Sequence, residues 1–106
     1  MAALSLKAAP TFWHRVLIPV TGAEPAPIDV EYRHRTRTDL KAYIDALAAG
    51  EKADTDLVAD VVVSWKGPDQ AFNPEAVALL CDNFPLAALA IWQGYLDAYA
   101  EAKRKN

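Results

Sequence analysis

Cysteine is nearly absent: Cys81 stands alone among 106 residues, so no intrachain disulfide can form. A solitary thiol fits a reducing compartment such as a cytoplasm. Histidine is almost as scarce, with only His14 and His34. A zinc site needs three or four ligands, and neither paired cysteines nor a helix bearing two spaced histidines is present to supply them. The four glycines, Gly22, Gly50, Gly67 and Gly94, are isolated, which excludes a glycine-rich phosphate loop. No apolar run approaches the ~18 residues that mark a bilayer span. Met1 to Pro10 lacks the basic start and hydrophobic segment of a signal peptide, so the chain is expected to stay where it is made. The net charge of −3 gives no general pull toward nucleic acid or anionic lipid. Neither a cofactor nor a membrane is expected as a partner.

What is abundant is apolar side chain, 53% of the sequence with three tryptophans, enough to support a core without staples. The length suits one domain over residues 1–106, beginning with a loosely packed stretch at 1–10. Phe12, Val16, Ile18 and Val20 fall on alternate positions, the period of a half-buried strand. A second alternation follows, with Ile28, Val30 and Tyr32 on one face and Asp29, Glu31, Arg33 and Arg35 on the other. Between them lies Thr21-Gly22-Ala23-Glu24-Pro25-Ala26-Pro27, a connector rich in turn formers. Residues 11–35 are therefore expected to form an antiparallel β-hairpin.

The period then changes to that of helices over residues 36–103. Thr36 and Asp39 have the form of a capping box, and Leu40, Tyr43, Ile44 and Leu47 follow on one stripe to Gly50. Asp54 or Thr55 can cap a second helix that carries Leu57, Val58, Val61, Val62 and Trp65 inward. The β-branched run Val61-Val62-Val63 also suits a strand, leaving residues 57–65 open between the two. Asn73-Pro74-Glu75 begins a third helix, with a capping residue, proline at the first position and an acid near the dipole's positive end. Pro85 separates it from the longest helix, which places Leu89, Trp92, Leu96 and Tyr99 on one stripe and Ile91 and Tyr95 on another. So wide an apolar arc marks either the central core element or an interaction surface. Residues 104–106 are expected to fray. The fold class is α+β, an N-terminal antiparallel hairpin on about four helices.

Candidates for chemistry are few. Cys81 shares a helical face with Val77, Leu80 and Phe84, the setting of a small core residue. His14 and His34 lie on one face of the hairpin but lack a third ligand, and the acids fall at helix starts and on polar faces. The chain is thus not expected to be an enzyme. Arg33-His34-Arg35-Thr36-Arg37 is the one local concentration of positive charge, yet Asp29 and Glu31 interleave with it, which disfavours a nucleic-acid surface. Trp13, Arg15 and Leu17 share a strand face with Arg33 and Arg35, and tryptophan with arginine is the composition favoured at protein interfaces. The candidate protein-binding surface is therefore Trp13, Arg15, Leu17, Arg33, Arg35 and Arg37, with Ile91 and Tyr95 of the last helix.

The order of Glu31-Tyr32-Arg33-His34-Arg35-Thr36-Arg37-Thr38-Asp39-Leu40-Lys41-Ala42-Tyr43, Val62-Val63-Ser64-Trp65-Lys66-Gly67, Phe72-Asn73-Pro74-Glu75, Asp82-Asn83-Phe84-Pro85 and a final helix with Tyr95 resembles the small tail assembly chaperones of tailed phages and prophages. The likeness covers most of residues 28–106 and rests on caps and core aromatics in a shared order. It implies a protein of the host cell cytoplasm that binds the tape-measure protein, helps recruit the major tail (tube) protein, and is absent from the mature virion. No active-site residue comes with it. A structural tail-completion or connector subunit is the alternative, with a nucleic-acid-binding regulator behind it, and a homo-oligomer is open.

Overall fold

The computed structural model describes residue 4, residues 6–50 and residues 52–104. The chain order is β1 (Thr11–Ile18), β2 (Ala26–Arg33), α1 (Arg37–Ala48), α2 (Asp54–Val61), β3 (Val62–Lys66), α3 (Pro74–Asn83) and α4 (Ala87–Arg104). The fold is α+β, as the alternating and helical periods predict, and α4 is the longest helix. Of the expected frayed end, residues 105 and 106 lie outside the described residues, and Arg104 closes α4. Leu4 and Leu6, within the expected loose start, are exposed.

β1 and β2 pair antiparallel from Thr11 opposite Arg33 to Ile18 opposite Ala26, so the hairpin forms as its alternation predicts. The sheet, however, has three strands in the order β1-β2-β3. Residues 57–65, open between helix and strand in the sequence, divide between the two: α2 stops at Val61, and Val62–Lys66 pairs antiparallel with β2. A bulge explains why helical spacing was imitated. Glu31 faces Ser64 while Tyr32 faces Val62, leaving Val63 as an extra residue on β3. Val62 and Trp65, three apart, thereby both turn inward and are buried, the spacing a helix face would give. Gly67, at φ +118°, ends β3 in a conformation that disfavours side chains, and a Cβ there would lie 3.2 Å from Ile28.

Two of the helix starts are built as predicted. The Thr36 hydroxyl accepts from the Asp39 N–H at 3.1 Å, and the Asn73 side-chain oxygen accepts from the Ala76 N–H at 2.8 Å. The third is not: Asp54 is the first residue of α2, and Ala53 precedes it with no side-chain cap. α3 and α4 meet at a bend of 108°. Among the described residues no single helix is long and apolar enough to cross a membrane.

One contiguous core joins the inner sheet face, with Val16, Ile18, Ile28, Val30, Tyr32, Val62 and Trp65, to α2, α3 and α4. α4 is its spine, burying Ala87, Ala88, Ile91 and Tyr95. Gly94 lets it approach the sheet, since a Cβ there would stand 2.8 Å from the Tyr32 hydroxyl and 3.0 Å from Val16 Cγ2. α1 is the opposite case, with no buried residue; only Leu40 and Tyr43 pack against the core's margin.

Candidate functional site

The antiparallel register divides the hairpin into two faces. Even-numbered residues of β1 and β2 point into the core, and odd-numbered ones form the outer face. Trp13 is 46% exposed and Leu17 58% exposed on that outer face, with Arg15 between them. A polar ladder surrounds the two apolar side chains. The Arg15 guanidinium donates to Asp29 at 3.0 Å, the Thr11 hydroxyl donates to Glu31 at 2.7 Å, and the Lys66 ammonium sits 4.7 Å from the Trp13 ring centre. The Arg15 hydrogen bond and charge hold the Asp29 carboxyl below its ordinary value. Arg33 is exposed on this same face, directly across from Thr11. Four of the predicted surface residues, Trp13, Arg15, Leu17 and Arg33, thus come together.

The other four do not. Arg37 is exposed but is the first residue of α1. Ile91 and Tyr95 are fully buried, because α4 turns this stripe, rather than Leu89, onto the sheet. Leu89 is exposed instead. Arg35 departs furthest from expectation. β2 ends at Arg33, so alternation no longer governs residue 35, and its side chain turns inward. Its guanidinium lies 4.0 Å from the Tyr43 ring centre and donates to the Tyr95 hydroxyl at 3.2 Å and to the Asp60 carbonyl at 2.9 Å.

Around Arg35 gathers a seam that sequence reasoning missed. All four tyrosines of the chain take part. Tyr95 donates to the Arg33 carbonyl at 2.8 Å, Tyr99 accepts from the Arg35 N–H at 3.0 Å, and Tyr32 donates to the Ile91 carbonyl at 2.7 Å. Tyr43 accepts from the Trp92 indole at 3.2 Å. Phe12 stacks on Tyr95 with 6.2 Å between ring centres and meets Tyr99 edge-on at 5.5 Å. Burial is the main cause that raises the Tyr32 and Tyr95 phenols well above their ordinary value, so both stay neutral at physiological pH. Among the described residues no buried side-chain nitrogen or oxygen lacks a partner. The seam docks α4 and α1 to the end of β2. The only trace of it in the sequence is the four-residue spacing of Tyr95 and Tyr99 opposite a Tyr-x-x-Arg pattern, Tyr32 to Arg35, at the strand end.

Among the described residues, groups suited to bond making are not gathered. Burial, with a smaller contribution from Asp54, pushes the Cys81 thiol up, away from the thiolate a nucleophile needs. His14 faces Val30, whereas the His34 N–H donates to the Pro10 carbonyl, so the histidines are four positions apart along the ladder. At ~3.3 Å per residue that is roughly 13 Å, too far to share an ion. His34 instead packs against Phe12 and Tyr99. Among the described residues no cluster of three or more His, Cys, Asp or Glu side chains is placed to hold a metal. Arg33 faces outward, Arg35 turns inward and Arg37 is exposed at the start of α1, which disperses the basic run.

One concavity adjoins the far end of the hairpin. It encloses about 440 Å³ between Ile18, Ile28, Trp65, Leu79, Leu80 and Phe84, and Asp69 is the one ionisable residue in its wall. Its chemistry suits an apolar side chain and offers no acid–base pair. Surface and site alike are therefore equipped for contact.

No curated protein and no solved structure matches the chain. A family model does, over residues 1–106: its description is phage tail assembly chaperone. With the whole length matched, this chain belongs to the phage tail assembly chaperone family.

Proposed function

We propose that the protein binds the tape-measure protein during tail morphogenesis, keeps that long helical partner soluble, and helps bring major tail (tube) protein subunits to it. The observation that carries this reading is the outer sheet face, where Trp13 and Leu17 stand exposed within a charged ladder on a scaffold whose core is complete without them. Exposed aromatic and aliphatic anchors rimmed by charge are what a protein-binding surface requires. Family membership supplies the setting, a tail assembly pathway and a non-enzymatic role. Such work takes place in the host cytoplasm and ends before the virion is complete.

Co-expression with the tape-measure gene of the same tail cluster is the test. The expected result is a gain in soluble tape-measure protein and its co-purification with this chain. Absence of both would count against the proposal, and recovery of this chain in purified particles would favour a structural subunit.

A further inference from the structure

The hollow beside the hairpin's turn lies at the ends of all three strands, between Ile18, Ile28 and Trp65 on the sheet and Leu79, Leu80 and Phe84 along and just past α3. Among the described residues no lysine, arginine or histidine lines it, and Asp69 is its one charged group. The apolar surface continues past the mouth. Leu79 in the wall is exposed, and so are Leu86 and Leu89 where the chain leaves α3 and enters α4. Charge along this part of the chain has one sign. Residues 67–102 hold five acids, Asp69, Glu75, Asp82, Asp97 and Glu101, and no lysine or arginine in 36 positions. Glu75 lies four positions before Leu79 and Asp82 three after, so the two flank it on the exposed side of α3. Lys66, just before this run, sits over Trp13 on the outer face of the sheet.

We infer that this acid-rimmed hollow is a docking groove for a basic amphipathic helix of another protein, which sets its apolar stripe into the hollow along Leu79 and its lysines or arginines against Asp69, Glu75 and Asp82. Charge selects the partner. A cationic helix meets attraction along the whole rim, whereas an acidic one meets like charge and loses affinity and approach rate together. The place where the hollow opens selects a helix over an extended peptide. It opens at strand ends rather than along a strand edge, so an incoming strand finds no row of free backbone groups, while α3 offers a ridge of side chains for a helix to pack against. A small ligand fits less well, because it leaves the leucines beyond the mouth uncovered and finds a wall with few polar groups to orient it.

The inference does not rest on the tape-measure reading, since Ile18, Ile28 and Trp65 face the inner side of the sheet and Trp13 the outer. The probe is a synthetic peptide of about five helical turns, with leucines at i, i+3, i+4 and i+7 and lysines elsewhere. One control replaces its lysines by glutamate, the other its leucines by serine. Nuclear magnetic resonance on the purified full chain locates the contact, because the Trp65 indole, which donates to the Gln70 carbonyl at 2.8 Å, belongs to the wall. The leucine–lysine helix is expected to shift the Trp65 indole resonance and leave that of Trp13 in place, with affinity falling as salt rises. Both controls should bind at least about tenfold more weakly. Leu79→Gln should weaken binding about tenfold and Asp69→Asn about threefold. Asp45→Asn makes the same change of charge on α1 and should leave binding unmoved. Because Leu79 is exposed, circular dichroism of its variant should match that of the unaltered chain. Absence of binding by the leucine–lysine helix, equal binding of the glutamate peptide, or a shift at Trp13 rather than Trp65 would overturn the inference. So would self-association of the chain that Leu79→Gln abolishes, which would make a second copy the occupant.

Discussion

Arg15 and Arg35 come from the same hairpin and read alike in the sequence, yet one lies on the open face and the other in the tyrosine seam. Arg15 holds a single exposed carboxylate, Asp29, in water. Arg35 ties the end of β2 to Tyr43 of α1, the last turn of α2 and Tyr95 of α4. The contrast shows how this small chain divides its interface-forming residues. One set, Tyr32, Tyr43, Tyr95, Tyr99 and Arg35, fixes how the helices dock; the other, Trp13, Arg15 and Leu17, stays on the open sheet face, where the proposed partner would bind.

The largest effect is expected inside the seam. Tyr95→Ala removes a fully buried aromatic and the donor to the Arg33 carbonyl, and should cost about 3–5 kcal/mol in urea unfolding. Next comes the arginine pair itself. Arg35→Ala breaks charge-assisted hydrogen bonds and a cation–π contact, for an expected loss of about 2–3 kcal/mol. Arg15→Ala should leave the urea midpoint nearly unmoved, because the pair is exposed and screened by water. Equal losses for the two would erase the distinction. Gly94→Ala sharpens it from the helix side: the gain of about 1 kcal/mol in helix propensity is outweighed by collision with Tyr32 and Val16, for a net destabilisation of about 1–2 kcal/mol.

The two faces should also part in their pH dependence. Tyr32 and Tyr95 have phenols raised above the ordinary value of 10, so the folded chain keeps protons that the unfolded chain releases. The stability they contribute is whole below about pH 10 and is lost as pH rises toward their folded values, by up to about 1.4 kcal/mol per pH unit for each phenol. Tyr95→Phe should therefore flatten the alkaline limb followed by tyrosinate absorbance. On the outer face Asp29 is depressed below its ordinary 3.8 by the Arg15 hydrogen bond. Its contribution is present above that value and is lost as pH falls through the lower folded one, a small effect visible in an NMR titration of its carboxyl.

What was legible in the sequence was local. The hairpin follows from strict alternation, and the caps at Thr36 and Asn73 follow from residue types whose side chains reach backbone a few positions ahead. What was hidden depends on distant neighbours. The bulge at Val63 lets Val62 and Trp65 imitate a helix face, and only β2's unfilled edge makes that segment a strand. Arg35 turns inward because the strand ends before it, beside tyrosines about sixty positions away. In α4 the sequence offers two stripes, and the close approach at Gly94 selects Ile91 and Tyr95 for burial. The candidate face survives on Trp13, Arg15, Leu17 and Arg33 because all four lie within paired strands, where alternation holds.

On the proposed reading, the outer sheet face binds while the inner seam only builds. The most direct measurement is co-purification of the tape-measure protein with the Trp13→Ala/Leu17→Ala double variant, alongside its urea midpoint. The prediction is a midpoint close to that of the unaltered chain together with loss of the partner. Full partner capture by the folded double variant would contradict the claim.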